Sequence, residues 1–321
     1  MSNRIYFGLD AGGSKISAVG SLGSQRFEGQ FPSENARKEQ PEQTALRLFN
    51  TVQAVCSSMD VDALKSEIRL CAGIAGAADP DLQQAIQTRV AHLFSAPHQS
   101  FRIVSDARIA FEAAFNVGPV AIEDGSKILV IAGTGSGCYS FSDSEEFFRA
   151  GGWGTLLGDP GSGTALGLAA IRQVLSAVEL HQSSTFVSRV LDLLKPYWKP
   201  SSASKADFSS ISSILQVVYN PDFKPALLAP VVLELGSRPG SAFTILKNET
   251  VQLADQIVRL AEHIGTEKGP LSIALAGGLL QNDLYQATLS NAILNRLPSA
   301  HLIIPKAEPV EGALLLAQKM S

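Results

Sequence analysis

Short apolar runs come in pairs along this chain, each pair split by a glycine-rich turn. Ile5-Tyr-Phe-Gly-Leu9 and Ile16-Ser-Ala-Val19 flank Asp10-Ala-Gly-Gly-Ser-Lys15, while Ile128-Leu-Val-Ile131 and Cys138-Tyr-Ser-Phe141 flank Ala132-Gly-Thr-Gly-Ser-Gly137. Such runs bounded by glycine predict strand–turn–strand hairpins. Further strands are predicted near 68–74, 101–105, 271–276 and 301–305. Helical periodicity covers Pro41–Ser57, Pro80–Phe94, Ala107–Asn116, Thr164–Leu180, Thr185–Leu194, Ala226–Leu235, Ala242–Ile264 and Leu284–Leu297, with a short capped helix from Glu308. Asp79 and Pro80 suit an N-cap and the first helical position. Ser201–Ser213 reads as a surface loop leading into a helix. Strands alternating with helices give an α/β class. The hairpins lie about 120 residues apart, so they read as an architectural duplication rather than a solenoid.

Length and composition narrow this picture. A chain of 321 residues predicts one large or two medium domains. Val117–Ser126, with Gly118, Pro119 and Gly125, is the candidate linker. The expected division is 1–117, with 308–321 packing back on it, and 118–307. A net charge of −4 argues against a nucleic-acid footprint. Cys56, Cys71 and Cys138 form no C-x-x-C pair and read as reduced thiols. No stretch approaches the length of a membrane helix, and no secretory signal opens the chain, so a soluble cytoplasmic protein is expected.

Five features carry candidate chemistry. The two hairpins offer Gly12, Gly13, Ser14 and Lys15, and Gly133, Thr134 and Gly135, as turns whose N–H groups can cradle phosphate. Asp10 directly precedes the first turn. A carboxylate there would repel a phosphate unless Mg²⁺ stood between them, although an Asx turn closing the hairpin explains it too. At Ser105-Asp106-Ala107 a strand meets a helix. Asp106 is either an N-cap or a carboxylate at the C-terminal edge of a sheet, where open α/β folds bind ligands, and the roles can coexist. Gly151-Gly-Trp-Gly154 through Gly158-Asp-Pro-Gly-Ser-Gly163 places six glycines, Trp153 and Asp159 within thirteen residues. Trp153 offers a stacking face and Asp159 acceptors for hydroxyls. Finally, Gly277 and Gly278 end a buried strand before a helix, where they either let a flat ligand approach the backbone or serve helix–strand packing alone. The Walker, Rossmann and G-x-S-x-G signatures are missing, and so is any His/Cys metal cluster.

As an ordered set these loops resemble the sugar kinase/actin/Hsp70 ATPase superfamily. They are most similar to its N-acetylglucosamine and glucosamine kinase branch, grouped with the BadF/BadG-type ATPases. The similarity runs from residue 4 to about 318, looser over 181–250, and includes Ala75-Gly-Ala77 and Glu311-Gly-Ala-Leu314. It implies two ribonuclease-H-like lobes with a cleft between them. It also implies ATP with Mg²⁺ anchored through water by Asp10, and Asp106 as general base toward the 6-hydroxyl of an amino sugar. Asn35, Gly76, Trp153 and Asp159 would hold the sugar, with Gly277 and Gly278 beside the adenosine. N-acetylglucosamine is the expected substrate. Glucosamine, glucose and N-acetylmuramic acid kinases, or a non-catalytic sensor, are the alternatives. The family also implies a homodimer. Two departures lie near the sugar side: Pro160 replaces the usual Glu after Asp159, and Gly137 stands where animal enzymes carry Asn. The zinc and iron–sulfur cysteine signatures of neighbouring families are absent.

Overall fold

The computed structural model describes residues 4–33, 39–94, 99–118, 125–142, 144–199, 208–265 and 269–320. The chain forms two compact units, Met1–Glu123 with Ile304–Ser321, and Asp124–Ile303. These divisions fall at 123/124 and 303/304, where 117/118 and 307/308 were expected. Most of the candidate linker, 119–124, lies outside the described residues.

The first unit contains strands β1 (Arg4–Ala11), β2 (Lys15–Leu22) and β3 (Gln25–Pro32), then α1 (Pro41–Ser58), β4 (Glu67–Ile74), α2 (Pro80–Phe94), β5 (Ser100–Ser105) and α3 (Asp106–Asn116). Its sheet runs β3-β2-β1-β4-β5. β1 pairs antiparallel with β2 and parallel with β4, and β4 pairs parallel with β5.

Side-chain alternation sorts β1 onto two faces. Ile5, Phe7 and Leu9 join the core with Leu48, Val52 and Ile86 of α1 and α2. Tyr6 faces the other way, against Val104, Ile109 and Ala313, and against Val310 and Leu314. The last four come from α3 and the final helix, Pro309–Gln318. By the same period of two, Gly8 and Asp10 lie on the α3 side. There a Cβ at Gly8 would stand 2.4 Å from Leu314 N, and one at Gly312 would stand 2.0 Å from Ile109 O. Close backbone approach is what these glycines permit.

The second unit repeats the plan. Strands β6 (Ser126–Ala132), β7 (Ser136–Phe141) and β8 (Phe147–Gly151) are followed by α4 (Gly163–Glu179), α5 (Thr185–Leu194), α6 (Ile211–Val218), α7 (Ala229–Leu235) and α8 (Ser241–Ile264). Then come β9 (Leu271–Ala276), α9 (Asp283–Leu294) and β10 (His301–Ile303); the final helix of the first unit is α10. The order β10-β9-β6-β7-β8 mirrors the first sheet, with β6 antiparallel to β7 and parallel to β9. Its core fills the space between this sheet and the helices, around Val130, Leu166, Ile257 and Tyr285.

Several elements differ from expectation. β3 and β8 were not predicted; both are edge strands with mixed exposure, so neither shows a clean apolar run. The strand expected at 301–305 ends at Ile303. The serine-rich segment is helical from Ile211, where Ser210 caps α6 and Ser213 is buried inside it. The helix expected over Ala226–Leu235 is a 3₁₀ turn (Pro225–Leu228) followed by α7. Pro230 has no N–H to donate to Ala226, which prevents one continuous α-helix. Ser105, not Asp106, is the N-cap of α3, its Oγ accepting from Arg108 N at 3.2 Å.

Candidate active site

Strand register brings the first group of residues to one edge. Ala11 is opposite Ile74 on β4, and Ile74 is opposite Ser105 on β5. The parallel strands therefore end in line at their C-terminal edge, with Asp10 one residue inside it and Asp106 one residue beyond. Asp106 is exposed and opens α3, with its Oδ1 accepting from Ala107 N at 2.9 Å. An acidic residue in the first helical turn also complements the helix dipole.

Asp10 is half-buried, and burial pushes its carboxyl up to about 6. The negative charges of Asp106 and Glu308 add to that rise, and Lys15 opposes it. An Asp10 carboxylate is thus held in a place that disfavours its own charge, which a cation would relieve. Among the described residues no group of three His, Cys, Asp or Glu could hold a metal ion alone. This donor set fits Mg²⁺ arriving with phosphate oxygens and keeping several waters, rather than a metal caged by the protein.

The adjoining turn is closed by Gly12 N donating to Lys15 O at 2.9 Å. Gly13 and Ser14 are exposed, and open space surrounds the Cβ position of Gly13. Lys15 opens β2 and is exposed. A hollow of about 490 Å³ in this unit is bordered by Asp10, Lys15, Glu28, Glu308 and Glu311. Gly76 follows β4 with φ of 86°, just after Ala75 N donates to Ala11 O at 2.9 Å. Asn35 lies outside the described residues.

The second hairpin occupies the matching place in its own sheet. Its closing pair is Ala132↔Ser136, as Ala11↔Ile16 closes the first, which puts Ile131 where the first unit has Asp10. Only the first hairpin therefore carries a carboxylate. Gly133 N donates to Gly135 O at 2.9 Å, and Thr134 is exposed. The hairpin is anchored from behind: Gly163 N donates to Gly133 O at 2.8 Å and Thr164 Oγ1 to Thr134 O at 2.8 Å. The glycines after β9 adjoin it. A Cβ at Gly133 would stand 3.9 Å from Gly278 N, and one at Gly277 would overlap Ala132 O at 2.3 Å.

The loop 151–163 is shaped by backbone of positive φ at Gly151, Gly152, Gly154, Asp159 and Gly161. Trp153 is 57% exposed and free to stack. Asp159 is only 4% exposed. Its Oδ1 accepts from Gly154 N at 3.2 Å, and a Cβ on Gly135 would come within 2.6 Å of its Oδ2. Burial raises the Asp159 carboxyl, partly offset by the N–H groups of Gly154 and Ser136. Asp159 thus braces the loop against the second hairpin. Pro160 joins this brace, its carbonyl accepting from Ser136 Oγ at 2.7 Å. Gly137 has a packing reason as well, since a Cβ there would lie 2.5 Å from Tyr139 Oη and 3.0 Å from Gly152 Cα.

Two residues that sequence reasoning missed hold the same loop. Tyr285 Oη donates to Gly161 O at 2.6 Å, and Glu249 Oε2 accepts from Gly161 N at 3.0 Å. Both peptide faces of Gly161 are clamped from helices far along the chain, so no local pattern announces them.

The BadF/BadG/BcrA/BcrD ATPase family matches residues 7–317.

The chain belongs to the BadF/BadG/BcrA/BcrD ATPase family.

It is 26% identical over 259 residues to the N-acetylmuramic acid/N-acetylglucosamine kinase of Clostridium acetobutylicum, covering 78% of this chain and 76% of that one. It is 25% identical to the N-acetyl-D-glucosamine kinase of Dictyostelium discoideum over 99% of this chain and 98% of the relative. A solved structure of a candidate N-acetylglucosamine kinase from Chromobacterium violaceum superposes with a TM-score of 0.70 at 20% identity, over 98% of this chain and 99% of that one. The α/β class with two ribonuclease-H-like, actin-type units agrees with that likeness. Among the described residues no helix is long and apolar enough to cross a membrane.

Proposed function

We propose that this BadF/BadG/BcrA/BcrD-family protein is an ATP-dependent kinase that phosphorylates the 6-hydroxyl of an amino sugar, foremost N-acetylglucosamine. The observation that carries this reading is the pair Asp10 and Asp106 at one sheet edge, beside a turn in which Gly12 and Gly13 carry no Cβ. Both curated relatives are named as kinases of N-acetylated sugars, which supports the substrate class.

In this reading the N–H groups of Gly12, Gly13 and Ser14, and of Gly133, Thr134 and Gly135, bind the ATP phosphates, with Lys15 adding positive charge. Gly277 and Gly278 lie against the adenosine. Mg²⁺, held through water by Asp10, would neutralise phosphate charge when bound. Asn35, Gly76, Trp153 and Asp159 orient the sugar. Asp106 accepts the proton of the 6-hydroxyl while that oxygen forms a bond to the γ-phosphorus. The bond from the γ-phosphorus to the bridging oxygen breaks, and ADP leaves. Such chemistry asks the protein for position and charge stabilisation more than for covalent help.

N-acetylmuramic acid is the second substrate reading, favoured by the N-acetylmuramic acid/N-acetylglucosamine kinase of Clostridium acetobutylicum. ADP release with a panel of N-acetylglucosamine, N-acetylmuramic acid, glucosamine and glucose tests both. The highest kcat/KM is expected for N-acetylglucosamine. No sugar-stimulated ADP release from any of the four would overturn the kinase reading.

A further inference from the structure

A second hollow lies within the unit Asp124–Ile303 and is lined by none of the residues given a role above in phosphate or sugar binding. Its volume is about 470 Å³, within the usual range of roughly 300–1,000 Å³ for small-molecule sites. Its walls are α4, α8 and the loop residues Thr155–Gly158 with Pro160. α4 contributes Ala165, Leu168 and Arg172, three and four residues apart, so all lie on one helix face. α8 contributes Glu249, Gln252, Gln256 and Arg259 at the same kind of spacing, with Asp255 beside them.

The charges in this hollow are unequally satisfied. Asp255 Oδ1 pairs with Arg296 Nε at 2.9 Å, and Glu249 accepts from Gly161 N at 3.0 Å. Among the described residues, Arg172 and Arg259 make no ion pair or hydrogen bond. The acids are engaged, whereas both guanidiniums are exposed to solvent and open to a ligand. Gln256 is 5% exposed and its Oε1 has no partner. It is pressed against Gly151, whose Cβ position would lie 2.3 Å away. At the mouth Leu156 and Leu157 stand 93% and 72% exposed, an unusual placement for apolar side chains.

We infer that this hollow binds a phosphate group, either free or as the monoester of a small polar molecule. Two guanidinium forks without acidic partners match a tetrahedral dianion, to which each can donate two N–H bonds. The exposed Gln252 amide supplies hydrogen bonds for hydroxyls of an ester, and Leu156 and Leu157 cover its carbon face. The occupant restrains the sugar loop, because Leu157 N and Gly158 N already donate to Gly154 O at 3.0 and 3.1 Å, next to Trp153. The site is therefore a place where phosphorylated sugar or phosphate adjusts sugar capture. Binding there needs no turnover, so the inference stands or falls apart from the kinase reading.

The test is calorimetric titration of the full chain with inorganic phosphate, N-acetylglucosamine 6-phosphate and uncharged N-acetylglucosamine. It is repeated on the double variant Arg172→Gln/Arg259→Gln. Both phosphates bind the parent protein, and the double variant weakens each by about tenfold or more, since charged hydrogen bonds are lost. The uncharged sugar binds both proteins alike. A larger loss of affinity for the ester than for phosphate in the double variant identifies a sugar phosphate as occupant; equal losses identify free phosphate. Equal titrations of parent and variant by both phosphates would overturn the proposal, as would no binding of either to the parent. If the double variant does not fold, Arg172→Lys, which keeps the charge and loses the fork, is titrated with the same expectations of weakening.

Discussion

Asp10 shows how a residue proposed to anchor Mg²⁺ is held at a cost in stability. Its carboxyl rises from an ordinary 3.8 to about 6, chiefly through burial. Below pH 3.8 the group is protonated folded or unfolded and costs nothing. Between those values the unfolded chain ionises first, and above about 6 the folded protein carries the full cost of the charge, roughly 2–3 kcal/mol. Asp10→Asn is therefore expected to raise the thermal midpoint at pH 8, with the gain shrinking toward pH 4. The same substitution should remove most Mg-ATP-dependent turnover. Calorimetric scans across pH, set beside initial rates, check both signs. In the parent protein, activity should fall as pH drops through about 6, where Asp10 takes up its proton. A midpoint lowered by the substitution at pH 8 would contradict this account.

At the scale of elements, the loop 151–163 is fixed by contacts that reach across the sequence. Tyr285 on α9 lies 124 positions from Gly161, and Glu249 on α8 lies 88 away. Tyr285→Phe removes one buried hydrogen bond and leaves the Gly161 carbonyl unpaired. It should cost about 1–3 kcal/mol of stability and raise the KM for sugar more than it lowers kcat. Thermal unfolding and steady-state kinetics read the two effects separately. These contacts explain what the sequence could and could not disclose. The Asp10 hairpin was legible because apolar runs flank it, and the Ser105-Asp106 junction because a strand visibly meets a helix. β3 and β8 were not, since an edge strand such as Gln25-Arg-Phe-Glu-Gly-Gln-Phe-Pro32 has no continuous buried face to write into its pattern. The burial of Asp159 and its bracing of Gly135 depend on chain folded back from elsewhere, which spacing alone does not encode.

For the whole molecule, the leading observation is duplication with unequal endowment. Both sheets share one strand order and one hairpin position, yet only the first carries the carboxylates Asp10 and Asp106. The second unit instead holds the glycine junction of Gly133 and Gly278 and the loop with Trp153. The hairpin pattern made this repeat visible in the sequence, although the equivalence of β3 with β8 emerged only from the fold. The first unit is also discontinuous, because α10 returns from the far end of the chain to cover Tyr6, Val104 and Ile109. Val310, Leu314 and Leu316 are buried there, each worth roughly 1.5–3 kcal/mol. A chain ending at Ile303 should therefore lose the fold of the first unit. Limited proteolysis is expected to digest 1–123 and spare 124–303; protection of both segments would show that α10 is dispensable.

The central claim is that Asp106 receives the proton as phosphoryl transfers from ATP to an amino sugar. Its most direct test is kcat and sugar KM for the parent protein and Asp106→Asn, measured with ATP and N-acetylglucosamine. General-base help of this kind is worth about 10²–10⁴-fold, so kcat should fall by that factor while KM stays within about threefold. An Asp106→Asn enzyme with near-parental kcat would contradict the account.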